Sequence, residues 1–324
     1  MPCFKVQSRT FGRLDAYEKT GRIVMQVEIQ KDISLTPEDS IFLDMHSFYN
    51  IINIISGELQ ILEMMSGDER ALQDCVDLCF RIKDGMSSRD SILEYAGSVE
   101  KHAAFIQDRL QEFLKSRPGL TDDPEVRESR ANIDSVLDIL RVRAGEIVNR
   151  LENPDKWEDH DLSRLMQNFL DVFSAIEKNS KGRYRFVYNL ARQGPTDYFI
   201  HLNFQGTRQD SINMPPVLQD VMRDLVANAR KYTEPGGKVL AGLYDDGKDI
   251  RFAVEDTGRG IPENEIENVV DFGVRGSNVQ EKRTMGGGFG LTKAYSVVRQ
   301  FGGRMWIDSA QDRGTRITLI LPRP

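Results

Sequence analysis

Asp224, Asn228 and Lys231 fall in the stretch D-L-V-A-N-A-R-K-Y-T. On a helix the first two are one turn apart and share a face, and the lysine, three residues on, reaches the same side. A carboxylate, a carboxamide and an ammonium grouped in this way suit a magnesium triphosphate, because oxygen donors hold the hard cation and the lysine meets phosphate charge. The same stripe also fits a solvated helix face. In E-D-T-G-R-G-I-P (255–262), Asp256 stands at a strand end, where it can accept from an exocyclic amine such as that of adenine. Gly258 and Gly260 let the backbone turn tightly and approach a ligand; a plain strand-to-loop turn reads the same way. In R-G-S-N-V-Q-E-K-R-T-M-G-G-G-F-G-L (275–291), Gly286, Gly287, Gly288 and Gly290 lie just before the helical stretch L-T-K-A-Y-S-V-V-R-Q-F. Glycines at a helix start expose amides to phosphate, and the polar run over about 273–285 reads as a lid. Near the C-terminus, Gly314-Thr315 separates two strand-like runs, which alone means only a hairpin.

These residues need elements to carry them. After about residue 158 the predicted order is a helix over 161–178, strands over 183–189 and 198–204, a helix over 215–232, a hairpin and a closing strand, T-R-I-T-L-I-L-P. That is an α+β pattern, with helices against one face of a sheet. Ahead of it the chain is helical. Thr36-Pro37-Glu38-Asp39 is a helix start, and Ile41, Met45, Phe48, Ile52, Ile55, Leu59 and Leu62 follow at alternating steps of four and three. A second seam runs Ile92, Ala96, Val99, Ala103, Ile106, Leu110, Phe113; a third runs Ile133, Leu137, Leu140, Ala144, Ile147, Leu151 and stops before Pro154. A shorter helical piece is expected over 68–83. Long helices with short breaks indicate an antiparallel bundle. The expected divisions are 1–35, a short segment with a strand at 22–30; 36–157, the bundle; and 158–324, the sheet domain.

With 324 residues and 40% hydrophobic content the chain can bury a sizeable core. A net charge of −7 and the lack of any basic block argue against a nucleic-acid partner. Cys3, Cys75 and Cys79 form no disulfide framework, and the pair four apart reads as buried thiols. No apolar run approaches the roughly 18 residues of a membrane span, and the N-terminus lacks a signal-peptide core. A cytoplasmic location is the expectation.

In their order and spacing, the four features resemble the Bergerat-type (GHKL) ATP-binding domain of histidine kinases, gyrase-like ATPases, Hsp90 and the mitochondrial dehydrogenase kinases, over about residues 160–324. Within that group D-F-G-V-R-G-S-N followed by G-G-G-F-G-L-T-K-A-Y-S-V-V-R-Q-F-G-G-R-M-W-I-D-S is most similar to sensor histidine kinases. The resemblance implies an ATP and Mg²⁺ site. Asn228 would be the metal ligand, Lys231 and Arg275 would contact phosphates, and Asp256 would bind adenine. Gly258, Gly260, Gly286, Gly288 and Gly290 would shape pocket and lid, with Tyr232, Leu291 and Thr315 in the same binding set. Asp224 departs from the pattern: histidine kinases usually carry Asn there, whereas gyrase-like and mitochondrial-kinase relatives carry an acid serving as general base. Asp224 is thus a candidate base or an added group in the Mg²⁺ shell.

The family also needs a phosphoacceptor histidine on a bundle helix. His46 sits beside the first seam, and His46, Asn50, Asn53, Gly57 and Gln60 run down one polar stripe. His-x-x-x-Asn is similar to the H-box, in which the residue at plus four positions water for dephosphorylating a response regulator. His102, beside the second seam, is the other candidate. Ser47 departs from the family, whose histidine is followed by an activating acid; serine cannot be that base at neutral pH, and Asp44 lies on the opposite helix face. The resemblance implies a two-component histidine kinase that autophosphorylates on His46, passes the phosphoryl group to a response-regulator aspartate and forms a homodimer through the bundle, with a separate sensor protein as one route for the signal. The alternatives are an ATP-binding regulator or phosphatase acting through Asn50 with little autokinase activity, and an ATPase or serine kinase using Asp224 as base.

Overall fold

The structure is a computed structural model that describes residues 26–180, 182–208, 210–280 and 287–324. The first part of the expected strand, Cys3 and most of the segment 1–35 lie outside those residues.

The bundle is built from five helices of nine residues or more, α1 (Pro37–Ser66), α2 (Gln73–Gly85), α3 (Arg89–Gly97), α4 (Val99–Lys115) and α5 (Pro124–Glu152), with the one-turn helix Pro118–Thr121 between the last two. Local chemistry sets their ends. The Thr36 hydroxyl accepts from the Asp39 amide while the Asp39 carboxylate accepts from the Thr36 amide, a reciprocal cap with Pro37 inside it. Gly67 closes α1 with φ 68°, a left-handed turn that favours glycine. Asp123 caps α5, accepting from the Glu125 and Val126 amides, and Pro124 takes the first helical position. The second expected seam is one stripe on two helices, because the chain breaks at Ser98 between α3 and α4. Helices α1 and α5 are antiparallel. Glu58 accepts from Ser129 and Asn132 at one end, and Arg150 meets Asp44 at the other. All three seams converge on one core: Phe48, Ile55, Leu59, Ile106, Leu137 and Leu140 are all buried in it.

The rest of the chain forms a mixed sheet with helices on it. Strands β1 (Gln26–Glu28), β2 (Glu158–Asp161), β3 (Phe186–Val187), β4 (Tyr198–Gln205), β5 (Ser211–Met214), β6 (Lys238–Asp245), β7 (Asp249–Asp256), β8 (Arg304–Ser309) and β9 (Thr315–Pro322) alternate with α6 (Leu162–Asn179), α7 (Pro216–Tyr232) and α8 (Gly290–Gln300). Seven strands make one sheet in the order β1-β8-β9-β7-β6-β4-β3, and β2 and β5 pair separately. The β3–β4 and β4–β6 pairs are parallel and the others antiparallel. Leu165 and Phe169 of α6, Leu218 and Leu225 of α7, and Tyr295 and Val298 of α8 pack with Phe252 and Leu319 of the sheet into a second core. The strand expected over 183–189 is only two residues long.

The first described residues belong to this sheet. β1 pairs antiparallel with β8, Val27 opposite Ile307, and Ile29 is buried in the sheet domain's core. Lys31 then donates to Asp271 at 2.5 Å and Asn268 at 3.0 Å, and the Tyr295 hydroxyl donates to the Lys31 carbonyl at 2.7 Å. The chain is thus fastened to the sheet domain immediately before α1 begins.

Candidate nucleotide and phosphoacceptor site

The four sequence features of the sheet domain meet at one cavity of about 290 Å³. Its walls take Asp224, Asn228, Lys231 and Tyr232 from α7, Asp256 from the end of β7, and Gly260 from the turn that follows. Arg275, Gly288, Gly290 and Leu291 come from the loop before α8 and its first turn, and Thr315 from the start of β9. Gly258 lies behind this wall, its N–H donating to Asp256 Oδ1 at 2.7 Å. Gly286 and the adjoining part of the expected lid, 281–286, lie outside the described residues.

Asp256 is buried, and the loss of water around it pushes its carboxyl up to about 7 against the pull of the Gly258 amide. The turn beside it depends on glycine: Gly260 has φ 64°, and a Cβ there would overlap the Ala310 carbonyl. Gly290 brings the start of α8 against α7, since a Cβ would lie 2.7 Å from Asn228 Nδ2. Arg275 donates to the Val279 carbonyl at 2.8 Å, within its own loop, and Lys231 Nζ sits 5.1 Å from the Tyr232 ring centroid.

The remaining wall is helix α1. Leu43, His46, Ser47 and Asn50 line the same cavity as Asp224 and Asn228. An aromatic cluster seats the helix there: the His46 ring lies 5.0 Å from Phe289, Phe42 lies 4.7 Å from Phe289, and Phe272 lies 4.9 Å from Phe289. Asn50 Nδ2 is 3.3 Å from His46 Nε2. In the tautomer with Nδ1 protonated, the Asn50 amide donates to the Nε2 lone pair. Burial lowers the His46 pKa, Asp224 opposes that shift, and Lys293 and Lys231 add to it. The carboxylate that acts on His46 therefore comes from α7, although Ser47 follows the histidine in sequence. His102 stands elsewhere, on α4 beside the Tyr95 ring at 6.1 Å.

Three residues important to this geometry were not singled out in the sequence. Phe289 sits inside the glycine run and packs on His46. Lys293 is a buried cavity residue that donates to Asp224 Oδ2 at 3.3 Å. Asp220, one turn before Asp224, continues the stripe Asp224–Asn228–Lys231 backwards. Lys293 was visible as a charged residue inside the apolar run L-T-K-A-Y-S-V-V, one turn from Gly290.

Among the described residues no group of three or more His, Cys, Asp or Glu is placed to hold a metal ion. The donor set around Asn228 fits instead a hard cation that keeps phosphate oxygens and waters and takes an oxygen from the protein. No helix in the described residues is long and apolar enough to cross a membrane.

Residues 213–324 match the family of histidine kinase-, DNA gyrase B- and HSP90-like ATPases. The sensor histidine kinase WalK of Bacillus subtilis (strain 168) is 28% identical over 187 residues, which cover 54% of this chain and 28% of that protein. The adaptive-response sensory kinase SasA of Rippkaea orientalis (strain PCC 8801 / RF-1) is 35% identical over 167 residues, 51% of this chain and 38% of that protein. The solved mycobacterial sensor histidine kinase MprB aligns with a TM-score of 0.37 at 23% identity, over 52% of this chain and 99% of that one. The chain spans well under half the length of the curated relatives it matches. Residues 213–324 thus carry an ATPase domain of the histidine kinase-, DNA gyrase B- and HSP90-like type, and the sequence relatives are sensor histidine kinases.

Proposed function

We propose that this chain binds ATP with Mg²⁺ in the cavity between α1 and the sheet domain, autophosphorylates on His46, and passes the phosphoryl group to an aspartate of a response regulator. One observation carries this reading: His46 lines the same cavity as Asn228, Lys231 and Asp256. Asp256 accepts from the adenine amine, Lys231 and Arg275 meet phosphate charge, and Asn228 supplies an oxygen to the metal. Bound Mg²⁺ supplies charge neutralisation at the β- and γ-phosphates. The neutral imidazole attacks through Nε2 once the Asn50 amide swings off its lone pair. A nitrogen–phosphorus bond forms, the bond from γ-phosphorus to the bridging oxygen breaks, and ADP leaves with those electrons. The Nδ1 proton is then released to water. Positioning and charge supply most of the rate in such a transfer, so an acid at position 47 is not required if Asp224 faces the ring from α7.

Incubation with radiolabelled ATP tests this. Acid-labile, alkali-stable label that vanishes in His46→Gln is expected; undiminished label in that variant overturns the assignment. A second reading, a regulator that dephosphorylates its partner with little autokinase activity, is favoured by the Asn50–His46 contact that occupies Nε2. It fails if Asn50→Ala leaves regulator dephosphorylation unchanged. A cytoplasmic homodimer that receives its signal through a sensor protein completes the proposal.

A further inference from the structure

A cluster of half-buried charges lies where the bundle meets the sheet domain, centred outside the residues that the nucleotide reading uses. Asp220 of α7 is its centre. Its carboxylate accepts from Arg143 at 2.8 Å and Arg150 at 3.3 Å, both on α5, and from Arg223 on its own helix. Arg150 also reaches Asp44 of α1, at 3.4 Å, and Arg143 and Arg223 share Glu146. Lys293 of α8 joins this cluster to the cavity. Its side chain is 5% exposed, its Nζ stands 4.0 Å from Asp220 Oδ2, and it is 3.3 Å from Asp224 Oδ2. An ammonium this buried is costly unless paired. Ala294, Tyr295, Val297 and Val298 beside it in sequence are buried without any charge, so the paired ammonium sets this position of α8 apart. What the lysine adds is a fixed orientation for Asp224, the carboxylate on the cavity wall that faces His46.

We propose that Lys293 is a positioning residue for phosphoryl transfer, holding the Asp224 carboxylate toward His46 through an ionic chain that is complete only when Arg143 and Arg150 seat α5 against Asp220. The inference rests on His46 being the phosphoacceptor. Docking of the bundle then finishes the transfer site, whereas the adenine end of the cavity, at Asp256, Gly260 and Thr315, is formed by the sheet domain alone. Loss of the chain should therefore slow the transfer step and spare nucleotide affinity.

The experiment uses the full chain and follows two quantities, the first-order labelling rate at saturating ATP and the affinity for a fluorescent ATP analogue. Lys293→Met is expected to lower the rate about tenfold to a hundredfold, the scale of a small misplacement of reacting groups, with affinity unchanged. Lys293→Arg, which keeps the charge, should recover part of the rate. The double variant Arg143→Gln/Arg150→Gln, which alters neither a cavity residue nor the phosphoacceptor, should show the same split; it carries the test if Lys293→Met does not unfold cooperatively. Wild-type labelling rates in either variant overturn the proposal, as does a loss that lies entirely in nucleotide affinity. The His46→Gln control separates the two ideas: label that survives in it sinks the phosphoacceptor reading, whereas label confined to His46 with normal rates in the Lys293 and Arg variants sinks only the positioning role.

Discussion

As the proposed phosphoacceptor, His46 could attack only while its ring is neutral. Burial lowers its pKa, Lys293 and Lys231 push the same way, and Asp224 opposes them. The acid limb of the labelling rate is accordingly expected below the ordinary histidine value of about 6.5, with a flat rate from pH 7 to 8. Asp224→Asn removes the opposing charge and should move the limb lower still. Initial labelling rates across pH check this, and a limb above the ordinary value contradicts it. Asp256 shifts the other way, to about 7. Only the ionised carboxylate is a full acceptor for an amine, so ATP affinity should weaken as pH falls through neutrality, by up to about tenfold per unit. Titration calorimetry at several pH values reads this, and Asp256→Asn should flatten the profile. The sign for stability follows from the same shift. The folded state binds this proton more tightly than the unfolded chain, whose aspartate ionises near ~3.9. Stability therefore falls as pH rises between that value and about 7, and the Asn variant should melt higher than wild type at alkaline pH.

Elements were legible in proportion to how local their signals are. The α1 seam could be read because Met45, Phe48, Ile52, Ile55, Leu59 and Leu62 alternate steps of four and three, and each is buried. The break at Ser98 could not, because the apolar stripe Ala96–Val99–Ala103 runs straight across it. Strands β2 and β5 escaped for a related reason: Glu-Asp-His-Asp and Ser-Ile-Asn-Met are too short to show a period, and their pairing joins residues 50 to 56 positions apart. The glycine turns were readable because each one's chemistry sits within a few residues. Gly260 is the most demanding of them. With φ 64° and the Ala310 carbonyl where a Cβ would go, Gly260→Ala should cost roughly 1–3 kcal/mol or more. Denaturant unfolding measures it, and an unchanged midpoint would show that the turn relaxes. The joint between His46 and the nucleotide residues had no local signal at all, since it depends on how α1 seats against Phe289 and Phe272.

At the scale of the molecule, the seams, which suit a homodimer and a bundle within one chain alike, close on one another within the chain. The proposed homodimer would use another face of the bundle, where Ile54, Ile61 and Met64 of α1 with Ile139 and Val142 of α5 are exposed apolar residues outside that core. The cavity also holds the histidine of its own chain, which favours transfer within a chain. Mixing His46→Gln protein with Asn228→Ala protein should give no label; label that appears on mixing shows transfer between chains. One last consequence belongs to β1. The outer row of β8 amides and carbonyls is covered by β1, whose residues 26–28 pair with it. Uncovered, β8, with Met305 and Ile307 among its residues, would offer a template for a neighbouring sheet. A chain shortened past β1 should become prone to stacking edge to edge, so the segment that leads into the bundle also guards the sheet against its own copies.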